Sequence, residues 1–379
     1  MRRAGLLILL LLSACPKRER ADAQETPAPA PAPADRRVVD THLHISPTEV
    51  GTAIEIMDEV GIAWGLNLSG HWPGGPLEEQ LELAARAGRI AVACNLPWVL
   101  ARRSERFPEI SAQILTEAKQ LGARALKIEK ALGLAARKPD GTLLTVDDPW
   151  LDPIWTRAAE LGLPVVIHTG DPKAFWLPVD PKNERFEELS AHPGWSNYGD
   201  PEVPSFDQLL AQLIHVVERH PKTTFVSVHF GNNAEDPAWV GRMLDRYPNL
   251  NVDLAARLPE IGRHEAKQVR EIFMRHADRI LFGTDTGVSP RGALMLGSHG
   301  TSPNRREEVK PYFLAHWRWL ETPDSPIPSP TPIQGRWPIH GIELPPEVLA
   351  KIYRENATRL FGPAPVRLTP LLPLPPAPK

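Results

Sequence analysis

The chain of 379 residues carries 43 basic and 46 acidic side chains, a net charge of −3. So even a balance supplies neither a basic surface for nucleic acid nor an acidic solvating tail. With 42% hydrophobic and 23% charged residues it reads as an ordinary globular chain, not collagen-like, coiled-coil or polytopic in a membrane. Two cysteines, Cys15 and Cys94, are too few for a disulfide framework or a thiolate zinc site.

The chain opens with Arg2 and Arg3, an apolar run over 6–12 and then Leu12-Ser13-Ala14-Cys15. A basic start, a short apolar stretch and small residues predict a secretory signal too short to span a bilayer. The tetrapeptide resembles the processing site of bacterial lipoproteins, which implies cleavage after residue 14 and lipidation of Cys15. Pro16 stands where an aspartate often marks inner-membrane retention, which points to the outer membrane of a bacterial envelope. Residues 15–36, ending in Pro-Ala repeats, form a tether that cannot build a core. Prolines concentrate again in 323–338 and in the tail 363–379, while Cys94 sits in an apolar run as an inert core thiol.

From Arg37 onward, short β-rich runs end near residues 44, 69, 97, 130, 169, 230, 256 and 286. Val165-Val166-Ile167-His168 and Phe225-Val226-Ser227-Val228-His229 are continuous apolar runs, as parallel strands buried on both faces require. Amphipathic helices are expected over 48–60, 76–87, 107–121, 149–161, 204–219, 235–246, 260–276 and 345–361, several stopped by Gly or Pro. Eight such units over 37–362 predict a (β/α)8 TIM barrel. An open doubly wound sheet is the alternative, but no Gly-rich phosphate loop follows the first strand. The fifth and eighth strand-to-helix connections, about 170–203 and 287–344, are long enough to build a substrate pocket; the eighth holds a further helix at 304–320.

The 13 histidines are not scattered evenly with respect to these strands. His42 and His44 end the first, His168 the fifth and His229 the sixth, and Asp285 ends the eighth. Residues i and i+2 of a strand share a face, so His42 and His44 aim together at the mouth of the barrel. Imidazoles with one carboxylate suit a divalent transition metal such as zinc, with a position left for water.

Asp40-Thr41-His42-Leu43-His44, Pro164-Val165-Val166-Ile167-His168-Thr169-Gly170, Val228-His229-Phe230-Gly231 and Leu281-Phe282-Gly283-Thr284-Asp285 resemble the signature strands of the amidohydrolase superfamily. They are most similar to its amidohydrolase-related branch, which holds hydrolases and non-oxidative decarboxylases such as aminocarboxymuconate-semialdehyde decarboxylase. The segment 352–362 resembles that branch's last barrel helix, so the likeness spans the whole expected barrel. It implies His42, His44, His168 and Asp285 as metal ligands. His229 becomes a further ligand or the group that orients water and moves protons, with Asp285 sharing the proton work. One divalent cation is expected, zinc before manganese or iron.

The implied activity is hydrolysis of a C–N or C–O bond in a small molecule by water activated at the metal. The alternatives are non-oxidative decarboxylation of a small unsaturated or aromatic acid, and an anchored binding protein without catalysis. Lys127, on the fourth strand, is expected as a substrate partner; a carboxylated bridge between two metals and Glu129 as an extra ligand are less favoured. Asp171, Trp176 and Arg257 complete the substrate candidates, Arg257 as a bidentate carboxylate clamp. The expected partners are a small-molecule substrate and a membrane reached through the lipid anchor alone, with no nucleic acid; a homodimer is left open.

Overall fold

The structure, a computed structural model, describes residues 37–366. The expected signal, Cys15, the tether and the tail beyond 366 lie outside the described residues. Ten strands form one curled, mostly parallel sheet in the order β10-β9-β1-β2-β3-β4-β5-β6-β7-β8. They are β1 (Val38–Ile45), β2 (Ile62–Asn67), β3 (Ile90–Cys94), β4 (Ala125–Ile128), β5 (Val165–Ile167), β6 (Phe225–Ser227), β7 (Leu250–Asp253), β8 (Ile280–Leu281), β9 (Thr286–Ser289) and β10 (Ala293–Leu296). The helices between them fall where the amphipathic runs lie, among them Val50–Val60, Leu77–Ala87, Phe107–Leu121, Asp152–Glu160, Phe206–Arg219 and Pro237–Arg246. Among the described residues no helix is long and apolar enough to cross a membrane.

Local chemistry sets the boundaries. The helix Phe206–Arg219 begins at a reciprocal cap in which Ser205 Oγ accepts from Gln208 N and Gln208 Oε1 accepts from Ser205 N. The helices Val50–Val60 and Leu77–Ala87 end at Gly61 and Gly88, whose φ of 79° and 67° suits the left-handed cap glycine allows. Two expected helices are interrupted. The one over 260–276 divides into Leu258–Gly262 and Ala266–Arg275. The one over 345–361 contains a π turn at Lys351–Glu355.

The eighth strand is where the sheet departs from a regular barrel. Its first part, β8, pairs with β7 through Val252↔Ile280 and Asp253↔Leu281. Its second part, β9, pairs with β1 through Leu43↔Thr286, His44↔Gly287 and Ile45↔Val288. Between them the chain leaves extended conformation, with Asp285 at φ 61°, so the ladder is open from β8 to β1. Single bonds bridge the gap: Thr41 N and Oγ1 both donate to Phe282 O, and Asp285 N donates to His42 O. β10 then folds back antiparallel on β9, a hairpin inside the long eighth connection.

Two apolar clusters lie on the two faces of this sheet. The larger packs strands against helices. The smaller fills the concave side with Val39, Leu66, Ala93, Ala125, Val166, Val226 and Leu281, closed by Ala357 and Phe361 from the last helix. Val39 and His42 are three residues apart and would face opposite sides of a regular strand. The register of β1 on β2 shifts between Asp40 and Leu43, which lets Val39 join the inner cluster while His42 reaches Asp253 on β7.

Candidate metal centre

The expected ligands come together at the C-terminal ends of the strands. His42 and His44 lie within β1, His168 directly follows β5, His229 stands two residues past the end of β6, and Asp285 occupies the break between β8 and β9. His42 is 1% exposed and His44 about a third, so the site runs from a dry floor to an open rim. Asp285 Oδ1 stands 3.5 Å from His42 Nε2 and 3.3 Å from His44 Nε2. Among the described residues His42, His229 and Asp285 form a group whose potential ligand atoms all lie within 4.8 Å of one another. His168 meets His229 edge-on, with ring centroids 4.4 Å apart.

Partners on the far side of the rings fix the tautomers. His42 Nδ1 donates to Asp253 Oδ2 at 2.8 Å, and His229 Nδ1 donates to Ala255 O at 2.8 Å. Both therefore keep a free lone pair on Nε2. His44 Nδ1 shares a 2.8 Å hydrogen bond with Ser69 Oγ. The backbone is strained where it presents these groups: His229 and Phe230 sit at φ 55° and 54°, and Asp285 at 61°. Left-handed conformations at non-glycine residues cost on the order of 1–3 kcal/mol each and gather at functional sites.

The electrostatics suit a cation. Burial holds the His42, His168 and His229 imidazoles below their usual range, and neighbouring positive groups, Lys127 among them, push the same way. Burial acts to raise Asp285, but His42, His44 and Lys127 outweigh it and keep the carboxyl below the ordinary carboxylate range. At neutral pH the centre thus offers neutral imidazoles at His42, His168 and His229 and an ionised carboxylate at Asp285, the protonation states a metal needs. His168 Nε2 is buried with no hydrogen-bond partner, an orphaned donor atom that a metal would satisfy. The residues fit the group.

The substrate candidates divide. Lys127 is buried on β4 beside the imidazoles, its Nζ without a hydrogen-bond partner. Burial lowers its pKa against the opposing pull of Asp253, Asp285 and Glu129. Arg257 follows the left-handed Ala256 and gives Nη1 to Ala256 O, and its charge reaches His168 and His229. Asp171 is paired with Lys130 Nζ at 2.7 Å. Trp176 belongs to the wall of the fifth connection, packed edge-on to Phe206 with Nε1 donating to Pro204 O. Glu129 is turned to Asn95 and Trp98, which both donate to it, and not to the imidazoles.

Sequence reading passed over several residues that build the centre. Asp40 is buried and accepts from His42 N, Thr284 N and Thr284 Oγ1, tying β1 to the broken eighth strand; burial raises it to about 7. Tyr312, from the helix Val309–Glu321 of the eighth connection, reaches under Asp285 to donate to Thr284 O at 2.6 Å. Asp253 was visible as a polar residue ending an apolar strand, the same signal that marks His168, but its pairing with β1 is a tertiary fact.

Among curated proteins none matches the chain. Solved structures with a similar course include the 2,6-dihydroxybenzoate decarboxylase from Rhizobium, at 17% identity over 86% of this chain and 98% of that one, TM-score 0.46. A probable 2-pyrone-4,6-dicarboxylic acid hydrolase from Acinetobacter baumannii is similar at 14% identity over 86% and 99%, TM-score 0.48. A dihydroxybenzoic acid decarboxylase from Polaromonas sp. JS666 with bound manganese is similar at 14% over 86% and 96%, TM-score 0.49. At such distances none of them speaks for the reaction of this chain. The family model described as amidohydrolase matches residues 39–362, from the first strand to the end of the last helix, and the chain belongs to that metal-dependent family.

Proposed function

We propose that this amidohydrolase hydrolyses a C–N or C–O bond in a small amide, lactam, lactone or ester, using one divalent cation. The observation that carries the reading is the meeting of the His42, His229 and Asp285 donor atoms within 4.8 Å, with the Nδ1 of both imidazoles committed elsewhere. His42, His44, His168 and Asp285 would hold the cation, with His229 beside them. Zinc comes first among the ions, then manganese or iron. When bound, the cation polarises the substrate oxygen and acidifies water.

The chain's own groups do the rest. Asp285, kept ionised, or His229 at its free Nε2 accepts the proton of the attacking water and returns it to the leaving nitrogen or oxygen. Burial of His229 disfavours its imidazolium, so a proton taken there is readily passed on.

Metal analysis beside a His42→Ala, His44→Ala variant tests the reading. Near one equivalent per chain, lost in the variant, and turnover of a member of an ester, lactone, lactam and amide panel by loaded protein are expected. Loaded protein inert across the panel refutes the hydrolase. Decarboxylation is a second reading, supported by Lys127 and Arg257, two cations beside His168 and His229 that suit an acidic substrate. Carbon dioxide release from such an acid, without incorporation of water, separates the two. On the same proposal Cys15 carries the lipid that tethers the catalytic domain to the envelope.

A further inference from the structure

We infer that Asp253, the last residue of β7, is a positioning residue for the metal centre, setting the tautomer of His42 and the placement of His229 through one carboxylate. The inference rests on the metal-dependent reading above. Asp253 is buried and accepts three hydrogen bonds: Oδ2 from His42 Nδ1 at 2.8 Å, Oδ1 from His229 N at 2.8 Å and from Ala255 N at 3.1 Å.

The last of these bonds extends its reach. Ala255 is held by its N–H to Asp253, and its carbonyl accepts the Nδ1 proton of His229. Residues 253–255 therefore fix both rings from behind, one directly and one through the backbone. The His229 N–H bond also ties down the left-handed turn at φ 55° that turns this ring toward the centre. With Nδ1 of each ring donating, each Nε2 presents a lone pair. For His42 that atom is the one facing Asp285.

A cap for an irregular loop would need only the two amide bonds, and a neutral side chain could supply them. The bond to His42 requires an acceptor on the second oxygen, which asparagine cannot offer while its own oxygen serves the amides. In Asp253→Asn the carbonyl oxygen stays with the two N–H groups and the NH2 turns to His42 Nδ1. The imidazole proton is then driven to Nε2, and the lone pair is lost from the metal side. Two of the three bonds survive, so the fold is preserved while the donor set is spoiled.

The test uses the full-length chain and zinc titrated against a chromophoric chelator. Asp253→Asn should bind zinc roughly 10- to 100-fold more weakly than wild type, with the melting temperature of the metal-free proteins unchanged. Cobalt-loaded protein should show an altered visible spectrum. Equal affinity and an unchanged spectrum overturn the inference. A second measurement needs no folded variant at position 253. In metal-free wild type with 15N-labelled histidine, His42, assigned by its absence from His42→Gln, should carry its proton on Nδ1; a proton on Nε2 overturns the inference. Wild type that binds no zinc refutes the metal reading instead, and the tautomer still decides the claim about Asp253.

Discussion

His316 offers a direct check on how burial governs imidazoles in this chain. It lies in the helix Val309–Glu321 and is 1% exposed. Its ring meets Tyr312 and Phe282 edge-on at 4.7 and 5.9 Å, Nδ1 donates to Tyr312 O, and Nε2 has no hydrogen-bond partner. Burial pushes the imidazole from the usual 6.5 down to about 4, with the backbone bond opposing. Above pH 6.5 neither folded nor unfolded chain binds this proton, and native stability is undiminished by it. Between 6.5 and 4 the unfolded chain takes up a proton that the folded chain refuses, so stability falls by about 1.4 kcal/mol per pH unit, about 3 kcal/mol in all. His316→Asn retains an N–H for the Tyr312 carbonyl and removes the titration. Denaturant unfolding of both proteins from pH 7.5 to 4 gives two curves whose difference isolates this group, since the other buried histidines are common to both. The wild type should lose about 3 kcal/mol more than the variant across the window. Parallel curves would refute the reasoning, because they would mean that the folded chain accepts the proton as readily as the unfolded one.

Arg185→Met should cost about 3–5 kcal/mol: Arg185 pairs with both Glu188 and Glu260, all three buried, and its loss strands two carboxylates in the interior. A loss below about 1 kcal/mol in the same unfolding assay would mean that water reaches the cluster. Phe361→Ala, at the floor of the inner cluster, should cost about 3–5 kcal/mol, read as a lowered denaturation midpoint. Lys127→Met removes an ammonium that has no hydrogen-bond partner. Its stability should hold while KM for an acidic substrate rises, and an unchanged KM would remove Lys127 from substrate binding. Cys15→Ser should shift the protein from the membrane fraction to the soluble one, as phase partitioning with detergent would show.

Runs such as Val165-Val166-Ile167 announce their strands because burial on both faces leaves no room for polar alternation. The helix boundaries were legible for a similar reason: Gly61, Gly88 and the Ser205–Gln208 pair act locally, within one turn of chain. The broken eighth strand was not, since Leu281-Phe282-Gly283-Thr284-Asp285 reads as one extended run. What breaks it is the demand that Asp285 face His42 and His44, a contact across more than two hundred residues. Ligand candidates stood out as histidines ending apolar strands, whereas Tyr312 and Asp253 act from other elements and look ordinary in their own. Trp176 shows what the sequence leaves out: an aromatic in a long connection invites a binding role, while the contacts its indole makes with Pro204 and Phe206 come from packing that the sequence does not display.

The plug formed by Ala357 and Phe361 bears on how the chain reaches this state. The concave side of the sheet draws on strands from Val39 to Leu281, yet its floor comes from the last helical turn of the described residues. Synthesis proceeds from the other end, so all ten strands emerge before the residues that seal their interior exist. Until residue 361 has emerged, a nascent chain lacks the means to finish this core, and an early stop before that residue leaves an open, greasy cup in place of an enzyme.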